Sequence, residues 1–142
     1  MGAVLERGGI ARRLFLALEL WLGRLPGGLA LSTIAMCAIF AAASGVVGAV
    51  EIVVGLMAIP PMIRAGYRND LIAGAICAGG SLGTIIPPSV IVVVYASIAQ
   101  LSIGKLFAAS IIPGMLMVVF FVGYILIRSL LRPQDAPPAR SE

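Results

Sequence analysis

Three hydroxyl side chains, Ser81, Thr84 and Ser89, share one eleven-residue stretch with Gly79, Gly80, Gly83 and the dipeptide Pro87-Pro88. Glycine lets backbone carbonyls turn out of a helix, and each proline removes a backbone donor and crowds the preceding turn. Carbonyl and hydroxyl oxygens together are hard ligands, suited to a small hard cation, while the N-terminus of a half-helix beyond a break suits an anionic group. The stretch lies within Leu71 to Gly104, a run of 34 residues with no charged side chain. A run that apolar belongs in a bilayer, where backbone groups freed by a break must find partners other than water.

The rest of the chemical inventory is sparse. There is no histidine, and between residues 25 and 127 the only acids are Glu51 and Asp70. Ser44, Ser81, Thr84 and Ser89 therefore have no base partner, a hydrolytic triad is excluded within this chain, and it does not read as an enzyme. Glu51 is an intramembrane carboxylate, a functional candidate by default, although an arginine, a serine or water in the assembled protein would also satisfy it. Cys37 and Cys77 stand 40 residues apart with no CxxC pattern, so both read as small apolar side chains rather than metal ligands. Interrupted helices with exposed carbonyls and amides are how many membrane transporters build their sites.

The elements that must position these residues follow from composition. The chain is 61% hydrophobic and 11% charged, against about 25% charged in soluble domains, so it reads as an all-α membrane protein in contact with the lipid bilayer. Its basic residues flank apolar runs without interleaved aromatics, which argues for orientation across a membrane and against nucleic acid. Residues 1–25 predict an amphipathic arm helix lying at the interface, with Leu14, Leu18 and Trp21 on one stripe. Residues 26–127 form the membrane domain, beginning with a helical hairpin over 28–63 whose tip is Ser44-Gly45-Val46-Val47-Gly48 and whose second limb ends at Pro60-Pro61. The first limb, 17 residues, spans about 25 Å, short of the roughly 30 Å hydrocarbon core, which favours a re-entrant hairpin. A broken helix over 71–95 and a full transmembrane helix over 106–127 follow, then a polar, proline-rich tail or linker over 128–142. With a hairpin at 28–63, nine of the ten Lys and Arg residues fall on one face; a single pass there splits them five and five. Cytoplasmic segments are enriched in Lys and Arg, so the hairpin topology is favoured.

At these residues the chain resembles the large membrane subunit of tripartite ATP-independent periplasmic (TRAP) transporters, the DctM type. The resemblance rests on Gly23-Arg24-Leu25-Pro26-Gly27-Gly28-Leu29-Ala30, Phe40-Ala41-Ala42-Ala43-Ser44-Gly45, Ile59-Pro60-Pro61-Met62 with Gly66-Tyr67, and Ala78 through Ser89. Ser102-Ile103-Gly104-Lys105-Leu106-Phe107 and Ile112-Pro113-Gly114 continue it in order, and Gly45-Val46-Val47-Gly48-Ala49-Val50 is most similar to the branch labelled mannitol/chloroaromatic-type. The resemblance implies a bacterial inner-membrane permease that imports small organic anions such as carboxylates on a sodium gradient. It implies a periplasmic substrate-binding protein and a small membrane subunit as partners, sodium as coupling ion and no organic cofactor. Carried onto this chain, it implies a sodium and substrate site at Ser44 and Gly45 together with Gly79, Gly80, Ser81, Gly83, Thr84, Pro87, Pro88 and Ser89. Many members carry hydroxyls where Val46 and Val47 stand here, which leaves backbone carbonyls at the tip. Members also contain two inverted halves, so this chain reads as an N-terminal-half fragment whose remaining half is a further partner. The rival expectation is a non-transporting membrane scaffold or small accessory subunit.

Overall fold

The computed structural model describes Val4 and residues 7–137, and among these it has six helices. They are α1 (Ile10–Leu22), α2 (Gly28–Ser44), α3 (Val47–Arg64), α4 (Asn69–Ile85), α5 (Val90–Ile98) and α6 (Ile103–Leu131). The all-α membrane architecture is as the composition demands: α3, the α4–α5 stretch and α6 are each long and apolar enough to cross a membrane. α2 has 17 residues and α3 has 18, so the first limb is the shorter one.

α2 is the centre of the molecule. Leu29, Ala30, Ile34, Met36, Cys37 and Ala41 are all buried, and so are the two hydroxyls of its first turns, Ser32 and Thr33. Each hydroxyl donates to the carbonyl four residues back, Gly28 and Leu29, at 2.8 Å. A helix apolar on every side needs apolar surroundings on every side; α1, α3, α4 and α6 cover most of it, leaving Ile39, Ala42 and Ala43 near the tip exposed. α6 is the opposite case, with Ile112, Leu116, Val119 and Ile127 turned outward, which hydrocarbon tolerates and water does not.

The hairpin is antiparallel, and its ends meet at one face of the molecule. Gly66, at φ 83, closes α3 in a Schellman arrangement: the Tyr67 N–H donates to the Met62 carbonyl at 3.1 Å and the Gly66 N–H to that of Ile63 at 3.0 Å. That turn aims Tyr67 back at the start of the first limb, where its hydroxyl oxygen accepts the Leu29 N–H at 3.3 Å. Burial pushes the Tyr67 hydroxyl up to about 12, against the lowering effect of the Leu29 and Ala30 amides. Because the folded value lies above the unfolded value of 10, the neutral phenol stabilises the fold below pH ~10 and that contribution is lost as pH rises towards ~12. Thermal unfolding should therefore show a fall in stability across that window, and Tyr67→Phe should flatten it while costing about 1 kcal/mol at neutral pH.

Five features depart from the sequence expectation. Pro60 and Pro61 do not stop the second limb; α3 runs through both to Arg64, since the two carbonyls deprived of a donor lie one turn earlier in an otherwise intact helix. α6 extends to Leu131, beyond the span expected over 106–127, and residues 132–137 are folded rather than trailing. The Asp135 carboxylate lies 3.8 Å from Arg68 and 3.7 Å from Arg128, the Arg68 N–H donates to the Asp135 carbonyl, and the Gly27 N–H donates to that of Ala136. These contacts bring the start of α2, the start of α4 and the end of α6 to one face, the face that charge counting assigns to the cytoplasm. The expected arm stripe is also split: Leu14 and Leu18 pack beside buried Phe15 and Ala11, whereas Trp21 is 86% exposed. Cys77 is exposed, and only Cys37 behaves as a buried apolar residue. The parts of the expected arm at residues 1–3, 5 and 6, and of the tail at 138–142, lie outside the described residues.

Candidate functional site at the hairpin tip

The tip of the hairpin is a two-residue turn, Gly45-Val46, seated directly on the interruption between α4 and α5. Gly45 takes a left-handed φ of 63, and its N–H closes α2 by donating to the Ala41 carbonyl at 2.9 Å. A side-chain carbon there would run into the Pro88 carbonyl oxygen, so glycine is required twice, by conformation and by space. The Ser44 hydroxyl stays on its own turn, accepting the Val46 N–H at 3.5 Å.

The interruption itself is shorter than the sequence suggests. Helix α4 continues unbroken through Gly79, Gly80 and Gly83, and only Ile86 to Ser89 leave helical geometry. Extended backbone at Ile86 and Ser89 bounds the turn. In a continuing helix Pro87 and Pro88 would donate to the carbonyls of Gly83 and Thr84; lacking N–H groups, they leave both carbonyls without an intrahelical partner. On the far side α5 begins at Val90 with no side-chain cap, and its first bond is from the Val93 N–H to the Ser89 carbonyl at 3.2 Å. Its leading N–H groups are therefore free.

The glycines do something different from turning carbonyls outward. A Cβ at Gly79 would come within 2.6 Å of the Cys37 sulfur on α2, and one at Gly83 would touch Val47 of α3 at 3.5 Å. Glu51 of α3 lies against Gly80 so closely that any side chain there would displace it. Three glycines on one face of α4 thus let both hairpin limbs close onto it, the small-residue packing that membrane helices use. Spacing alone cannot separate the two roles, because a glycine frees the backbone and removes the side chain at once.

The expected hydroxyls divide in the same way. Ser81 donates to the Ala78 carbonyl and Thr84 to that of Ser81, both at 2.7 Å, so each is bound to its own helix. Ser89 is the exception. Its hydroxyl oxygen is buried, the residue being 1% exposed, and has no hydrogen-bond partner among the described residues. Of the predicted residues, the fold brings Ser44, Gly45, Pro87, Pro88 and Ser89 to the tip, with Gly83 and Thr84 contributing carbonyls. Gly79, Gly80 and Ser81 lie a turn or more away along α4. A separate groove of about 410 Å³ between α4 and α6, lined by Leu71, Gly74, Ala78, Phe121, Tyr124 and Arg128, lies away from the tip, towards the face where Arg68 and Arg128 meet Asp135.

The family described as tripartite ATP-independent periplasmic transporter, DctM component, matches residues 1–138. The chain belongs to the DctM family. Over 137 residues it is 43% identical to the C4-dicarboxylate TRAP transporter large permease protein DctM of Pseudomonas aeruginosa, covering 96% of this chain and 32% of that one. It is 43% identical over 123 residues to the isethionate TRAP transporter permease protein DctMQ of Oleidesulfovibrio alaskensis, covering 87% of this chain and 19% of that one. Over 138 residues it is 36% identical to the ectoine TRAP transporter large permease protein TeaC of Halomonas elongata, covering 97% and 32%. The chain therefore spans about a third or less of the length of these curated relatives. DctM relatives are permeases and not enzymes, and this DctM-family chain is a multi-pass protein of the bacterial inner membrane.

Proposed function

We propose that this chain carries one half of the ion and solute site of a sodium-coupled TRAP permease importing small organic anions. One observation supports this above the rest: Gly45 seated on the Pro88 carbonyl, which gathers the ends of four half-helices beside the buried, unpartnered Ser89 hydroxyl. Two of those ends, of α2 and α4, present carbonyl oxygens suited to a small hard cation; the other two, of α3 and α5, present N–H groups suited to an anionic solute. The donors are backbone groups, so the site recognises charge more than shape. That suits a family whose relatives are named for solutes as different as C4-dicarboxylates, isethionate and ectoine. A periplasmic binding protein and a small membrane subunit complete the working assembly, the former choosing the solute.

The test is uptake into proteoliposomes containing the complete permease and its small subunit, with its periplasmic binding protein added and radiolabelled succinate, isethionate and ectoine as probes. Uptake should require an inward sodium gradient and the binding protein. Uptake of one probe that persists unchanged with potassium in place of sodium would remove the coupling assignment, and no uptake of any probe would favour a scaffold role. Ser89→Ala should raise the half-saturating sodium concentration several-fold, because it deletes an oxygen with no other partner, while leaving affinity for the binding protein unchanged.

A further inference from the structure

Glu51 is the one acid on the hairpin, and it lies one turn beyond the tip on α3, four residues after Val47. Its carboxylate is seated over Gly80 of α4, and the Cys37 thiol of α2 adjoins the same α4 face at Gly79. No lysine or arginine pairs with it among the described residues; the ion pairs present all involve Arg68 or Arg128 at the cytoplasmic face. A carboxylate at membrane depth without a countercharge is costly and marks a function by default. Its placement tells against direct ligation. Gly80 precedes the partnerless carbonyls of Gly83 and Thr84 by three and four residues, about 5–6 Å of helix, whereas a hard cation sits about 2.4 Å from each ligand oxygen.

We infer that Glu51 is a positioning residue that acts on the tip through its charge, raising the affinity of the carbonyl and Ser89 oxygens for a monovalent cation without ligating it. The inference rests on the ion-binding reading of the tip. Backbone carbonyls and a hydroxyl bear no net charge, so a cation among them has no counterion of its own. A fixed negative charge about two turns away, at an effective dielectric of about 20, is worth a factor of about ten in cation affinity, and more if closer. Gly80 is what lets that charge come so close, since any larger residue would push the carboxylate away. Glu51 and Gly80 therefore act as a unit.

Binding of radioactive sodium alone to the purified, complete permease with its small subunit in nanodiscs tests this. Glu51→Gln should raise the half-saturating sodium concentration about tenfold with the maximum bound unchanged. Glu51→Asp, which keeps the charge, should recover most of the loss, and Gly80→Ala should shift it in the same direction as Glu51→Gln. An unchanged half-saturation in Glu51→Gln, with wild type binding sodium saturably, would overturn the inference and leave the functional reading intact. A fall in maximum binding without a shift would mark a merely structural residue and also overturn it. If Glu51→Gln does not assemble, an unshifted Gly80→Ala has the same force. Wild type with no saturable sodium binding would overturn the coupling reading, and this inference with it.

Discussion

Gly45→Val should abolish uptake while the permease still inserts and assembles. Two independent effects act at that position. The left-handed φ of 63 disfavours any residue with a Cβ by about 1–2 kcal/mol, more for a β-branched one. The larger effect is steric, because the added carbon meets the Pro88 carbonyl, which is backbone and cannot rotate aside. The hairpin must then lift off the interruption, separating the half-helix ends that the proposed site needs together. Gly45→Ala should fail for the same two reasons, less completely. Gly48→Ala is the matched control: nothing lies within 4 Å of a Cβ there, so uptake should be retained. Uptake by Gly45→Val above a few per cent of wild type would mean that the tip contact is dispensable.

Gly79→Leu should cost about 3 kcal/mol of stability, read as a fall in the thermal unfolding midpoint in detergent. At this position the new side chain points into Cys37, with the sulfur at 2.6 Å and its Cβ at 2.8 Å from the first added carbon, and with the α2 backbone at Ile34 close behind. Cys37 and its neighbour Met36 are fully buried, so the overlap cannot be relieved there without opening a gap elsewhere. Gly74→Ala, on the open side of the same helix, should be neutral or slightly stabilising, since it adds helix propensity and meets nothing within 4 Å. Should both variants unfold at the wild-type temperature, the glycine face of α4 is not a packing surface.

Much of this was legible from residue order. The hairpin, the interruption near Pro87-Pro88 and the common face of the basic ends follow from glycine, proline and charge positions, because these act through local backbone rules and the membrane's intolerance of charge. Less legible were the extents: α3 passing through Pro60-Pro61, α6 reaching Leu131, and residues 132–137 folding back through Asp135 onto Arg68 and Arg128. Those depend on partners distant in the chain. Tyr67 was visible only as part of a family motif, and nothing local indicated that its hydroxyl would accept from Leu29.

The amino-acid order by itself determined that this chain lives in a bilayer, that one of its helices must break near residue 87, and that it lacks the groups for hydrolytic chemistry. Tertiary structure alone decided which oxygens are spare. Ser81 and Thr84 are consumed by their own helix, Ser89 is left buried and without a partner among the described residues, and Glu51 settles over Gly80. The reason is that hydrogen-bond satisfaction is a property of an assembled neighbourhood: identical hydroxyls differ only in what the fold places within about 3 Å of them.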